Sequence, residues 1–203
     1  MPENNKAACT DLDLYEDVDF CPGDSSTPGT RNHFYFTKKG KCQSIPKPKG
    51  YDATKMEEVA VISDNITLQE NETWKKVALV PLEAEVTTQS QGSYGSKTFQ
   101  NKVILVLPGS AKKNTGLIAM LNNDDVLISV PMANGQHRLF GNADYQTQVQ
   151  LSQAQGKTTT DPNTTTIEVT VDDRFPAPYY EGTLLTEEGT ISGINDELVT
   201  SGG

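Results

Sequence analysis

The sequence predicts a mainly β fold carrying one short α-helix, with extended arms at its N- and C-terminal ends. Three observations predict it. From Val59 onward, β-branched and aromatic runs alternate with polar turns. Only residues 110–123 place apolar side chains at helical spacing, with Leu117, Ile118 and Leu121 on one face. Proline and glycine breakers crowd residues 1–50, and PAPYY at 176–180 ends the sheet pattern. The chain of 203 residues therefore divides into an arm over 1–50, a β domain over 51–182 and a tail over 183–203.

In the arm, CPGDSSTPGT and SIPKPKG exclude helix, and HFYF at 33–36 is a short strand candidate between them. EVAVIS, NITL and WKKVALVPL read as successive strands, followed by KTFQNKVILVLPG. The intervening polar stretch 87–100, whose only charge is Lys97, reads as a hairpin loop that either frays or orders against a neighbour. Ser110 stands at an N-cap position for the helix. VLISVPM and HRLF flank Asn134-Gly135, a dipeptide suited to a tight hairpin because both central positions need positive φ. YQTQVQLSQAQ and TTIEVTVDD alternate, and Ile167, Val169 and Val171 share one side.

Composition limits the function. Apolar residues make up 35% of the chain and the formal charge is -10. The mean hydropathy is -0.51 and the isoelectric point is about 4.6. Tight binding to a phosphate backbone needs clustered Lys and Arg, which are absent, and the acids concentrate at the two ends. No apolar run approaches the roughly 20 residues that span a bilayer, so no membrane partner is expected. The first residues lack the apolar core of a signal peptide, so the chain reads as intracellular at synthesis. Cys9, Cys21 and Cys42 read as reduced thiols; with His33 they lack the paired spacing of a zinc knuckle.

Chemistry-bearing patterns are few. VLPGSAKKNTG begins like a phosphate loop, but Asn114 and Thr115 occupy the places of its second glycine and its lysine. Gly109 reads instead as a strand-to-helix turn. His33 and His137, the only histidines, lie in no serine elbow or thiolate motif, and His137 after a hairpin turn reads as exposed. The acids of DLDLYEDVDF at 11–20 alternate with Leu12, Leu14, Val18 and Phe20, as an arm strand with one wet face would, and they lack the glycine turn of a calcium loop. No catalytic residue, metal or cofactor is expected. Tyr179 and Tyr180 read either as an interface anchor or as packing at the domain end.

The ordered series CPGDSSTPGTR, WKKVALVP, TTQSQGSYGSKTFQNKVILVLPG, LNNDDVLISV, NGQHRLFGN and FPAPYYEG resembles structural proteins of tailed bacteriophages infecting gut Bacteroidetes, similar in layout to tail tube proteins. The resemblance implies a tail-tube-like β-sandwich or barrel. It also implies a non-enzymatic virion tail subunit, assembled in the host cytoplasm into homo-oligomeric, hexameric stacked rings that contact other tail or neck proteins. Genome DNA would pass through the lumen without specific binding, repelled by acidic charge. The glycine loop Gln91, Gly92, Ser93, Tyr94, Gly95 and Ser96 would reach a neighbouring subunit or the next ring, the helix would lie outside, and both arms would contact neighbours. A neck or tail-barrel ring protein of a short-tailed crAss-like phage is the alternative within this group. A secreted carbohydrate-binding β-sandwich is the alternative outside it, although only Trp74 is available for a sugar face.

Overall fold

The computed structural model describes residues 14–18 and 27–199. Two antiparallel-rich sheets pack face to face as a sandwich, and neither closes into a barrel. The first has six strands in the order β3 (Val61–Ile62), β12 (Tyr179–Tyr180), β9 (His137–Phe140), β8 (Val126–Pro131), β1 (His33–Lys38) and β5 (Lys75–Ala78). The second runs β10 (Gln148–Ala154), β11 (Thr164–Asp173), β7 (Thr98–Pro108) and β6 (Glu85–Gln91), antiparallel throughout. Two small ribbons stand beside these sheets: β2 (Cys42–Ser44) with β4 (Thr67–Leu68), and β13 (Thr183–Thr186) with β14 (Gly189–Ser192). One helix, α1, spans Lys112–Leu121.

The alternation seen in TTIEVTVDD is realised as expected: Ile167, Val169 and Val171 are buried in β11 opposite Val103 and Leu105 of β7. Their inner faces meet Phe34, Val126, Ile128, Val130 and Phe140 of the six-stranded sheet. Strand β8 does not alternate, because both of its faces are covered. Val126, Ile128 and Val130 face the sandwich, while Leu127 joins a second cluster on the opposite face with Tyr35, Trp74, Leu139, Tyr180 and Leu184.

That second cluster overturns the expected tail. Leu184 is 0% exposed and Ile191 5%, so the β13–β14 ribbon lies on the outer face of the six-stranded sheet as a third layer. Without it Leu127 and Leu139 would meet water, at a cost of about 1.5–3 kcal/mol for each such side chain. Shortening Leu184 to Ala should cost about 2–5 kcal/mol, read as a lower denaturant midpoint at unchanged slope.

The arm boundary at residue 50 is corrected as well. β1 is an interior strand of its sheet, between the edge strand β5 and β8, and Phe34 and Tyr35 are 0% and 1% exposed. Deleting residues 1–50 removes a buried interior strand, so the truncated chain should show lost β-sheet circular dichroism instead of a folded domain.

Smaller differences have local causes. PAPYY does not end the sheet: Tyr179 and Tyr180 pair with β3 and β9. The polar stretch 87–100 is mostly strand, and only 92–97 turn. Gly109 makes the expected turn with φ +74, but Ala111, not Ser110, is the N-cap and it supplies no side-chain bond. Asn114 Nδ2 instead donates to the carbonyls of Pro108 and Gly109.

Candidate assembly interface and a buried aspartate cluster

The edges of the two sheets differ. At the six-stranded sheet, β3 is flanked by the chain at 49–50, where Lys49 N donates to Val61 O. At the other edge, Trp74 N donates to Leu185 O and Val80 N to Val106 O, so β5 is tied at both ends. Among the described residues, neither β6 nor β10 has a strand on its outer side.

Which backbone groups those edges present follows from one hydrogen bond. Gly109 N donates to Asn163 O, and the unbroken register makes the odd residues of β11 bond toward β7 and its even residues toward β10. The outward N–H and C=O groups of β10 are then those of Val149, Leu151 and Gln153. By the same alternation, β6 turns Val86, Thr88 and Ser90 outward. Each edge is seven residues long, without proline or lysine, and Glu85 is the only charge on either. Natural edges usually carry such blocking residues. With four alternating strands, β6 and β10 run in opposite directions, so β10 of one copy meets β6 of the next as another antiparallel pair.

The glycine loop extends this sheet beyond its core. Gly92 and Gly95 take φ near +90, Ser96 N donates to Ser93 O, and Tyr94 is 100% exposed. Gln91 Nε2 donates to Asp172 Oδ1 at 2.7 Å, which pins the loop base to β11. The two tyrosines part company. Tyr180 is 0% exposed: its hydroxyl accepts from Ile66 N and donates to Thr183 O, and burial pushes its pKa up to about 12. It is a core pillar and cannot be an interface anchor. Tyr179 is half-buried beneath the Arg138 guanidinium, 4.1 Å from its ring centre, and accepts from Arg138 Nη2.

Sequence reading missed the chain's strongest convergence of ionisable groups. The Asp196 side chain is 2% exposed. Arg31 Nη1 donates to its Oδ2 at 2.8 Å, and Tyr35 Oη to its Oδ1 at 3.0 Å. His33 Nε2 lies 3.1 Å from Oδ2 and His137 Nε2 3.2 Å from Oδ1. Burial alone would raise this carboxyl, but the hydrogen bonds from His137, His33 and Arg31 outweigh it and hold the group well below the usual carboxylate range. Burial, and then the Asp196 charge, push the Tyr35 hydroxyl above its ordinary value, which keeps it a donor.

His137 is 0% exposed, not the surface residue its hairpin position predicts. Its Nδ1 lies 2.8 Å from Ser129 Oγ, and on the other side of the ring Nε2–H donates to the Asp196 carboxylate. Ser, His and Asp thus stand in line, yet Ser129 and His137 are both completely buried in mid-sheet. The array fastens residues 193–198 over β1, β8 and β9. The sequence signal was the unpaired histidines themselves, but they stand 104 positions apart and 59 or more from Asp196.

Among the described residues no group of three or more His, Cys, Asp or Glu is arranged to hold a metal. Cys42 Sγ–H bonds Lys38 O, and burial pushes its pKa up to about 11. Cys9 and Cys21 lie outside the described residues. No helix among them is long and apolar enough to cross a membrane. Compared with protein families, curated proteins and solved structures, the chain matches none.

Proposed function

We propose that this chain is a non-enzymatic virion structural protein, a ring subunit whose stacked rings form the tail tube through which a phage genome leaves. The observation that carries the reading is the pair of edges on one sheet, β6 and β10, that have no strand on their outer side among the described residues and Glu85 as their one charge. They have equal length, three outward residues each and opposite direction, while in the other sheet β3 is flanked by the chain at 49–50 and β5 is bonded at its two ends. Edge-to-edge closure of copies would pair these groups and extend a single antiparallel sheet around the ring. The tail placement rests on the sequence resemblance.

The face of this sheet turned away from the core suits a passage for DNA. Alternation puts Gln100, Thr166, Thr170 and Gln150 there, with Lys102 held 2.7 Å from Glu168 and the acids Glu85 and Asp172 beside them. Amides and hydroxyls with a small acidic excess offer a phosphate backbone no cationic seat. The β6–β7 turn, with Tyr94 in solvent, would meet the next ring.

Light scattering across concentration, with negative-stain images of the same samples, tests the reading. Rings or tubes are expected. A monodisperse monomer at high concentration, unchanged beside the other virion proteins of its phage, would overturn it.

A further inference from the structure

The edge of β5 is closed at its two ends and open between them. Leu79 N donates to Asn32 O, so Val77 and Lys75 bond inward to β1, and Lys76 and Ala78 turn their N–H and C=O outward. Trp74 and Val80, which also face outward, are bonded to Leu185 and Val106. The open stretch borders a groove of about 520 Å³ between β5, α1 and the β13–β14 turn. Phe36, Val77, Leu107 and Leu117 give the groove apolar walls. Trp74 lines it too; its residue is 1% exposed, yet its Nε1–H has no acceptor among the described residues. A buried indole donor without a partner costs about 1–3 kcal/mol.

The rim carries one net positive charge in an acidic chain, three lysines against Glu187 and Glu188. Lys75, Lys76 and Lys113 border the groove; Lys75 and Lys76 already hold Glu187 and Glu188, whereas Lys113 has no ion partner among the described residues. An extended acidic segment with interspersed apolar residues fits this combination of strand edge, apolar wall and lysines. The chain contains such a segment at 11–20, DLDLYEDVDF. Of its own copy, the described residues 14–18 lie by Met56, whose N donates to Glu16 Oε1, and Met56 does not border the groove. There Tyr15 and Val18 are 92% and 82% exposed, apolar surface that a second copy's groove would cover.

We propose that residues 11–20 of a second copy enter this groove as an extended strand beside Lys76 and Ala78, with their acids at Lys75, Lys76 and Lys113. The inference rests on self-association, but it is testable on the monomer. Trp74 is the only tryptophan, so its emission reports on the groove alone.

The synthetic peptide of residues 11–20 is titrated into the dilute full-length chain. A saturable change in Trp74 emission is expected, weakened by salt and by about five-fold in Lys113→Glu, the size of one exposed charge pair. Ala78→Pro removes an outward N–H that no other group uses, and should abolish binding with the circular dichroism unchanged. No emission change and no calorimetric heat with the peptide in excess would overturn the proposal. So would equal binding of a scrambled peptide, or undiminished binding to folded Ala78→Pro. Rings that form while the peptide fails to bind would sink this inference and leave the ring subunit standing; a bound peptide without rings would do the reverse.

Discussion

Replacing Asp196 with alanine should lower the unfolding free energy by about 3–5 kcal/mol, the cost of removing one member of a buried charged cluster. The carboxylate collects Arg31, Tyr35, His33 and His137, and its loss leaves buried donors on β1 and β9 without an acceptor. Asp196→Asn should cost less, about 1–3 kcal/mol. Asparagine keeps one acceptor oxygen and tolerates the positive φ of 59 at this position. The two variants should also differ from the wild type locally, with faster amide exchange over residues 191–198, which the cluster holds against the sheet.

The acid dependence follows from the same group. Its folded-state pKa is depressed, so the stabilisation is complete above the unfolded value of about 3.9 and is lost as pH falls toward the lower folded value. Wild-type stability should therefore drop from about pH 5 downward, and Asp196→Ala should drop less across that window. Urea midpoints measured between neutral pH and pH 3 check this. Parallel curves for the two proteins would show that Asp196 contributes nothing to acid sensitivity.

Ser90→Pro should leave the monomer folded and weaken ring formation by about ten- to a hundredfold at each contact. Ser90 is exposed, and its N–H points off the sheet edge, so proline there removes a group only a neighbouring copy could use. Gln89→Pro, one residue earlier, strikes the bond to Gln100 and should destabilise the monomer itself. Sedimentation velocity for assembly and thermal melts for stability separate the two outcomes. If Ser90→Pro assembled normally, the β6 edge would not be the contact.

The fold was legible wherever a strand buries one face. TTIEVTVDD and YQTQVQLSQAQ show their period in the residues themselves, and Gly109 marks a turn with positive φ; of Asn134-Gly135 only Gly135 takes positive φ, and residues 132–136 form a longer loop than the two-residue turn the dipeptide suggests. It was less legible where both faces are covered. VLISVP has no period because β13–β14 covers one side and β7–β11 the other, so nothing local shows that the C-terminal residues fold back. HFYF lay among proline and glycine breakers, and its interior place in the sheet depends on β5 and β8, far along the chain.

The same division holds for the candidate sites. By itself the sequence determined a β-rich, acidic chain with one helix and a polar, glycine-bearing stretch at 87–100 between strands, because propensity, charge and turn chemistry are local properties. Only the tertiary structure decided that Glu85–Gln91 and Gln148–Ala154 become the two outer strands of one sheet, that Tyr180 is a core pillar, and that His33 and His137 meet on Asp196. Strand order and the meeting of distant side chains depend on which surfaces remain to be buried once the whole chain has packed.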